Sequence, residues 1–151
     1  MKLNKTGDDS YWYLTDDVQS HQVFDFLLQK VKRADKLIIG SFAVTEAYVR
    51  RIIRNRHRVD HVELILDFTI ASRNPRIMLF AETNADALYL TNNHSKFIYV
   101  RGPEKSYVAI MSNNATNNHR FESGVILSDP AFISDFLLGI DKMKQQCHKQ
   151  K

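Results

Sequence analysis

Apolar and polar positions follow two alternating periods along this chain, and each change of period marks an element. Val23, Phe24, Leu27, Leu28 and Val31 recur at the three-to-four-residue spacing of a helix with one buried stripe. They predict a first helix running to about Ala34, with Asp16 and Gln19 as its capping box. The short apolar run from Leu37 to Phe42, rich in β-branched residues, predicts a buried strand. Thr45 is placed to cap a second helix that turns Tyr48, Val49, Ile52 and Ile53 inward. Val62 to Phe68 predicts the next strand. Asn74-Pro75, a cap followed by proline, opens a helix continuing through Ile77, Met78, Phe80 and Ala81. Extended segments are predicted from Ala87 to Leu90, Lys96 to Val100, Tyr107 to Met111 and Phe121 to Leu127, with a turn at Gly102-Pro103. Asp129-Pro130 starts a last helix whose stripe is Phe132, Ile133, Phe136, Leu137, Ile140 and Met143.

Helices and strands that alternate early in a chain point to a buried, largely parallel sheet. The later run of strands adds an antiparallel part. The expectation is an α/β fold, a mixed β-sheet flanked by helices on both faces. It forms a single domain over 1–151, with its core between about 18 and 143 and flexible termini. A chain of 151 residues suffices for one such core. No internal repeat or low-complexity linker interrupts it.

Composition narrows the classes. A hydrophobic content of 44% and a charged content of 25% are ordinary for a globular protein. The formal charge of +4 biases the surface toward polyanions. The only cysteine, Cys147, lies in a polar tail and is expected to be an exposed free thiol, so no internal disulfide can form. The first residues lack the apolar core of a secretory signal, and no stretch has the roughly 20 apolar residues that span a bilayer. A cytoplasmic protein without integral membrane association is expected. On that expectation the glycosylation-like tripeptides at Asn93 and Asn114 are chance matches.

The candidate chemistry lies in the later strands. His94 and Lys96 are two apart just before an apolar run, so in extended backbone they point the same way. A neutral imidazole can attack phosphorus, and an ammonium beside it can hold phosphate oxygens. Ser112 and Asn114 leave the end of another predicted strand, and Glu122 stands near the start of a third. Taken singly, each has a plain reading. These are a turn histidine, a solvated lysine, Asx-turn chemistry in the loop, and an edge-strand charge.

In this order, within matching strands, the set resembles the phospholipase D superfamily, whose motif runs His-x-Lys, four residues, Asp, then Gly-Ser-x-Asn, then Glu near a strand start. The resemblance spans roughly Val18 to Met143. It implies that His94 is a nucleophile forming a phosphohistidine, while Lys96 and Asn114 hold the non-bridging oxygens. Ser112 would support the histidine or phosphate, and Glu122 would bond the far nitrogen of a partner histidine. No cofactor and no metal are implied. The chain has one such motif, whereas the family's reaction uses two histidines across one phosphate, so a homodimer with a twofold-shared site is expected. Small nucleases of the superfamily are built that way. Two positions depart from the pattern: Arg101 replaces the aspartate, and Met111 replaces the glycine before the serine.

Arg50, Arg54 and Arg58, spaced by four, are expected to line one stripe of the second helix and to contact nucleic-acid phosphates, DNA or RNA. A solvated helix face is the plain alternative. His57 and His61 have metal-ligand spacing, but no third ligand is evident. The functional expectation is a metal-independent phosphodiesterase, most simply an endonuclease. The alternatives are a catalytically degenerate nucleic-acid-binding dimer, and a lipid phosphodiesterase, although no amphipathic membrane helix is visible.

Overall fold

The hydrophobic periods resolve into one nine-stranded sheet, ordered β1-β2-β8-β7-β6-β3-β4-β5-β9. It is seen in a computed structural model that describes residues 1–117 and 119–149. The strands are β1 (Asn4–Thr6), β2 (Ser10–Thr15), β3 (Lys36–Ser41), β4 (Val62–Asp67), β5 (Ala87–Thr91), β6 (Phe97–Arg101), β7 (Ser106–Met111), β8 (Glu122–Leu127) and β9 (His148–Lys149). The helices are α1 (Ser20–Val31), α2 (Glu46–Arg54), the short α3 (Ile70–Arg73), α4 (Pro75–Asn84) and α5 (Pro130–Gln145). Among these strands β3-β4 and β4-β5 pair in parallel, and the other pairs are antiparallel.

Strict alternation along β3 divides the core. Leu37 and Ile39 join α1, α2 and α4 on one face, through Phe24, Leu27, Tyr48, Ile52 and Ala81. Ile38 points the other way, with Ile65, Phe97, Tyr99 and Val108, to meet Ile133 and Ile140 of α5. Helices therefore cover both faces, as expected. Gly40 is required at the β3-β6 contact, because a Cβ there would come within 2.2 Å of the Phe97 ring. That ring in turn packs edge-on against Phe136 at 5.2 Å. Among the described residues no helix is long and apolar enough to cross a membrane.

Several expectations change. The sheet begins earlier than residue 18: the β1-β2 hairpin pairs with β8, and Tyr13 is buried in the core. The cap of α1 is Gln19, not Asp16. The Gln19 N–H donates to the Gln22 side chain at 2.8 Å, while Thr15 donates to Asp17 outside the helix. Helix α2 stops at Arg54, and Arg56–Arg58 form a separate 3-10 turn, so the predicted arginine stripe is broken before Arg58. Cys147 is half-buried rather than exposed; burial pushes its thiol up.

Helix α5 does not cover the whole of its face. Trp12, Leu14, Ile110 and Val125 remain exposed. Val125 is in register with both Trp12 and Ile110, so these side chains form one row across β2, β8 and β7.

Candidate active site

All the candidate catalytic residues stand at one edge of the sheet, where β3, β4, β5 and β7 end and β6 and β8 begin. His94, Ser95 and Lys96 lie in the connection ahead of β6 rather than within the strand. The two side chains meet nonetheless, without the strand alternation that their spacing predicts. Lys96 Nζ lies 3.1 Å from His94 Nδ1 and donates to the His94 carbonyl at 2.8 Å. An ammonium has only donors, so this contact is a hydrogen bond in the tautomer that leaves Nδ1 unprotonated.

Buried polar groups hold this connection. Asn93 is 3% exposed, and its Nδ2 reaches the carbonyls of Ser41, Ile65 and Ser95, while its Oδ1 accepts from Ser95 N–H at 2.9 Å. Asp67 accepts from Asn93 N–H at 3.0 Å. Burial works against the Asp67 carboxylate. Donors from Thr69 and Asn93 outweigh that cost and hold the carboxyl below its ordinary value.

The second half of the site leaves β7. Ser112 donates to Glu122 and accepts from Ser123 N–H at 3.0 Å. Glu122 is thereby fixed, with its side chain 13% exposed and Arg120 3.9 Å away. Asn114 faces Ser41, whose hydroxyl lies 3.4 Å from Asn114 Oδ1 and accepts from Ala115 N–H at 3.0 Å. Asn113, between them, is structural: it accepts from the Tyr13 hydroxyl and donates to the Val18 carbonyl. The Lys96 carbonyl accepts from Met111 N–H at 3.0 Å, which joins the two halves through the backbone.

Neither departure from the motif presents its side chain to the candidate site. Arg101 ends β6 at the opposite edge, in register with Lys36, and donates to Asp35 at 2.8 Å. Met111 points into the core, opposite Gly124, where a Cβ would strike the Tyr13 ring at 2.6 Å.

The arginines of the expected nucleic-acid surface are differently employed. Arg58 donates to the Leu28 and Lys32 carbonyls, capping the end of α1. Arg50 pairs with Glu46 and lies over the Phe80 ring. Arg54 is exposed, beside a small cavity lined by His21, Tyr48, Arg51 and Asn117. Among the described residues no group of three or more His, Cys, Asp or Glu converges to hold a metal.

Sequence reasoning missed Asn93, Ser41, Asp67 and an aromatic neighbour, Phe42, whose ring centre lies 5.2 Å from that of His94. An Asn-Asn pair before the histidine reads as turn chemistry. Nothing local to it reveals the three carbonyls it reaches.

Comparison with solved structures gives the same fold. NucT from Helicobacter pylori superposes with a TM-score of 0.71 at 15% identity, over 92% of this chain and 97% of that one. Nuc from Salmonella typhimurium, described as a phospholipase D family member, gives 0.70 at 18% identity, over 95% and 99%. The phosphatidylserine synthase of Haemophilus influenzae gives 0.68 at 16% identity, over 98% of this chain and 42% of the synthase. No family model matches the sequence, and no curated protein matches it significantly. The chain has the phospholipase D-like fold.

Proposed function

We propose that the chain is a metal-independent phosphodiesterase, an endonuclease that cleaves nucleic-acid phosphodiester bonds in a site shared by two copies. One observation carries this reading: the Lys96–His94 pair, the Ser112–Glu122 pair and Asn114 share a single exposed sheet edge. While Lys96 donates to Nδ1, Nε2 keeps its proton and is not nucleophilic. A phosphate offers the ammonium a stronger, charged acceptor. Lys96 then moves to the non-bridging oxygens, Nδ1 takes the ring proton, and Nε2 is free to attack. The N–P bond forms as the P–O ester bond breaks, and the imidazole of the second copy protonates the leaving oxygen. Water then attacks phosphorus, gives its proton to that second imidazole, and releases His94. Asn114 has its amide nitrogen as the donor for the phosphorane, while the Ser41 hydroxyl beside it donates to the Ala43 carbonyl at 2.6 Å. Glu122 of each copy orients the imidazole of the other.

The second copy is supplied by the uncovered row Trp12, Leu14, Ile110 and Val125, an apolar face that runs up to Ser112 and Ser123. Nucleic acid is favoured by the charge of +4 and by exposed arginines such as Arg54 and Arg73. We place the activity in the cytoplasm, where a single thiol with no disulfide partner suits the reducing conditions. The phosphatidylserine synthase among the similar structures makes lipid phosphodiesters the second reading.

The test is hydrolysis of DNA, RNA, phosphatidylglycerol and bis-p-nitrophenyl phosphate in EDTA. Nucleic-acid cleavage that survives chelation and vanishes in His94→Ala is expected. Turnover of lipid alone selects the second reading. Binding of nucleic acid with no turnover of any substrate selects a non-catalytic binder.

A further inference from the structure

Beside the proposed nucleophile lies a group of side chains that phosphoryl chemistry does not use. The Phe42 ring follows the end of β3 and contacts the His94 ring at 5.2 Å between centroids. The Arg73 guanidinium lies 4.5 Å from the centre of the same ring and donates to the Phe42 carbonyl at 3.0 Å. Arg73 is also fixed at its Nε, which donates to Thr69 Oγ1 at 2.9 Å. Thr69 in turn donates to Asp67, the carboxylate that anchors Asn93 beside His94. On the same turn Phe68 is 55% exposed, though its N–H is tied to the Thr91 carbonyl at 2.8 Å. A large apolar ring is thus held in water on the residue that precedes Thr69, the side chain that fixes Arg73 over Phe42 beside the His94 ring.

We infer that Phe68, Arg73 and Phe42 form a stacking platform for a nucleobase flanking the scissile phosphate, which makes single-stranded nucleic acid the substrate. The inference rests on the phosphodiesterase reading of this edge and names its substrate class. Bases stack on aromatic rings and guanidinium planes with little regard to sequence. In a duplex the base next to the cleaved phosphate is already stacked and paired, so it cannot reach such a platform without unpairing. A lipid-binding surface would need a broad apolar patch. Here one exposed ring stands among polar and cationic neighbours, Thr69, Ser72 and Arg73.

The decisive experiment measures equilibrium binding of the intact protein, by fluorescence anisotropy, to two phosphorothioate 12-mers of equal charge. One carries bases and the other is abasic. The wild-type protein should bind the base-bearing strand at least about fivefold tighter. Phe68→Ala and Phe68→Leu should abolish that preference while Phe68→Trp keeps it, because a ring and not mere apolar bulk is needed. Equal affinity for the two strands overturns the platform while leaving the phosphodiesterase reading intact. A preference that survives both Phe68→Ala and Arg73→Ala also overturns it. So does Phe68→Ala releasing phosphatidylglycerol vesicles while base preference is unchanged, an outcome that makes the face a lipid surface. Failure to bind either strand, with bis-p-nitrophenyl phosphate still hydrolysed, overturns the platform together with the choice of nucleic acid.

Discussion

Lys96 Nζ stands 3.1 Å from Nδ1 of His94 while also donating to the His94 carbonyl, so the ammonium and the imidazole share one small volume. The same cation cannot hold Nδ1 and a phosphate oxygen with full strength at once. On the proposed mechanism, substrate binding and activation of His94 would therefore be one event.

Lys96→Ala should lower turnover of a phosphodiester by about 10²-fold or more, the scale of losing one preorganised transition-state donor. Stability should move by no more than about 0.5 kcal/mol, since the side chain lies in an edge connection outside the core. Steady-state kinetics beside a urea titration check both. Wild-type turnover in this variant would remove Lys96 from the chemistry.

Arg101→Asp restores the residue usual at this motif position, yet it should not raise activity. The site is at the other edge of the sheet, and Asp35 already occupies the position facing residue 101. Two carboxylates would meet where an exposed ion pair stood, costing up to about 1 kcal/mol. Thermal melts and kcat on one preparation decide it, and a large gain in kcat would return residue 101 to the active site.

The three arginines should separate. Arg58→Gln removes two hydrogen bonds to the end of α1 and should destabilise the fold by about 1 kcal/mol, with the salt dependence of nucleic-acid binding unchanged. Arg54→Gln should leave stability near wild type. If Arg54 contacts a phosphate, it should reduce the salt slope by about one unit. Binding isotherms across a salt series distinguish the two, and a slope that falls for Arg58 but not Arg54 reverses the assignment.

Acid should loosen α5 first. Burial of Glu63, 4% exposed, disfavours its ionised form, but Lys144 of α5 and Lys36 of β3 outweigh that and hold the carboxyl below its ordinary value. A depressed folded value means that the contribution is fully present above the unfolded value of about 4.3 and is lost as pH falls through the folded one. Urea midpoints should fall in that acid window. Glu63→Gln should flatten the fall and cost about 1–3 kcal/mol at neutral pH, because two lysines lose their counter-charge. An unaltered acid limb in Glu63→Gln would exclude this carboxylate as its source.

Legibility in the sequence followed the range of the interactions. The stripe of α1, the proline-led starts of α4 and α5, and the strands β3 to β8 all carry local periodicity or cap chemistry. The β1-β2 hairpin does not. Tyr11 and Tyr13 face the helices while Trp12 and Leu14 face away, so both faces are apolar and no alternation survives. Its turn also relies on positive φ at Gly7 and Asp9, only the first of which is a glycine. Strand β9 is two residues long, too short for any period. At the site, His94, Lys96, Ser112, Asn114 and Glu122 were visible as an ordered set of reactive types. Asn93, Ser41 and Asp67 were not, because they act through backbone groups from distant segments. Arg58 misled for the opposite reason: a four-residue spacing implies a stripe only while the helix lasts, and this one ends at Arg54.

The shared-site reading makes the uncovered face its most exposed commitment. Trp12, Val125 and Ile110 sit in register across three strands, and Leu14 continues the face one strand position away. A second copy related by a twofold axis would bury this row against its own equivalent, with the serines at its margin carried toward the partner's imidazole. Val125→Glu places two carboxylates near that axis without touching the helix-covered core, so the fold should survive. Analytical ultracentrifugation should give a dimer for wild type and a monomer for the variant. Turnover should fall with the mass, to below about one hundredth of wild type, as expected when the proton donor to the leaving group is lost. Mixing Val125→Glu with excess His94→Ala should not rescue it. A folded Val125→Glu monomer with full activity would mean that one imidazole suffices.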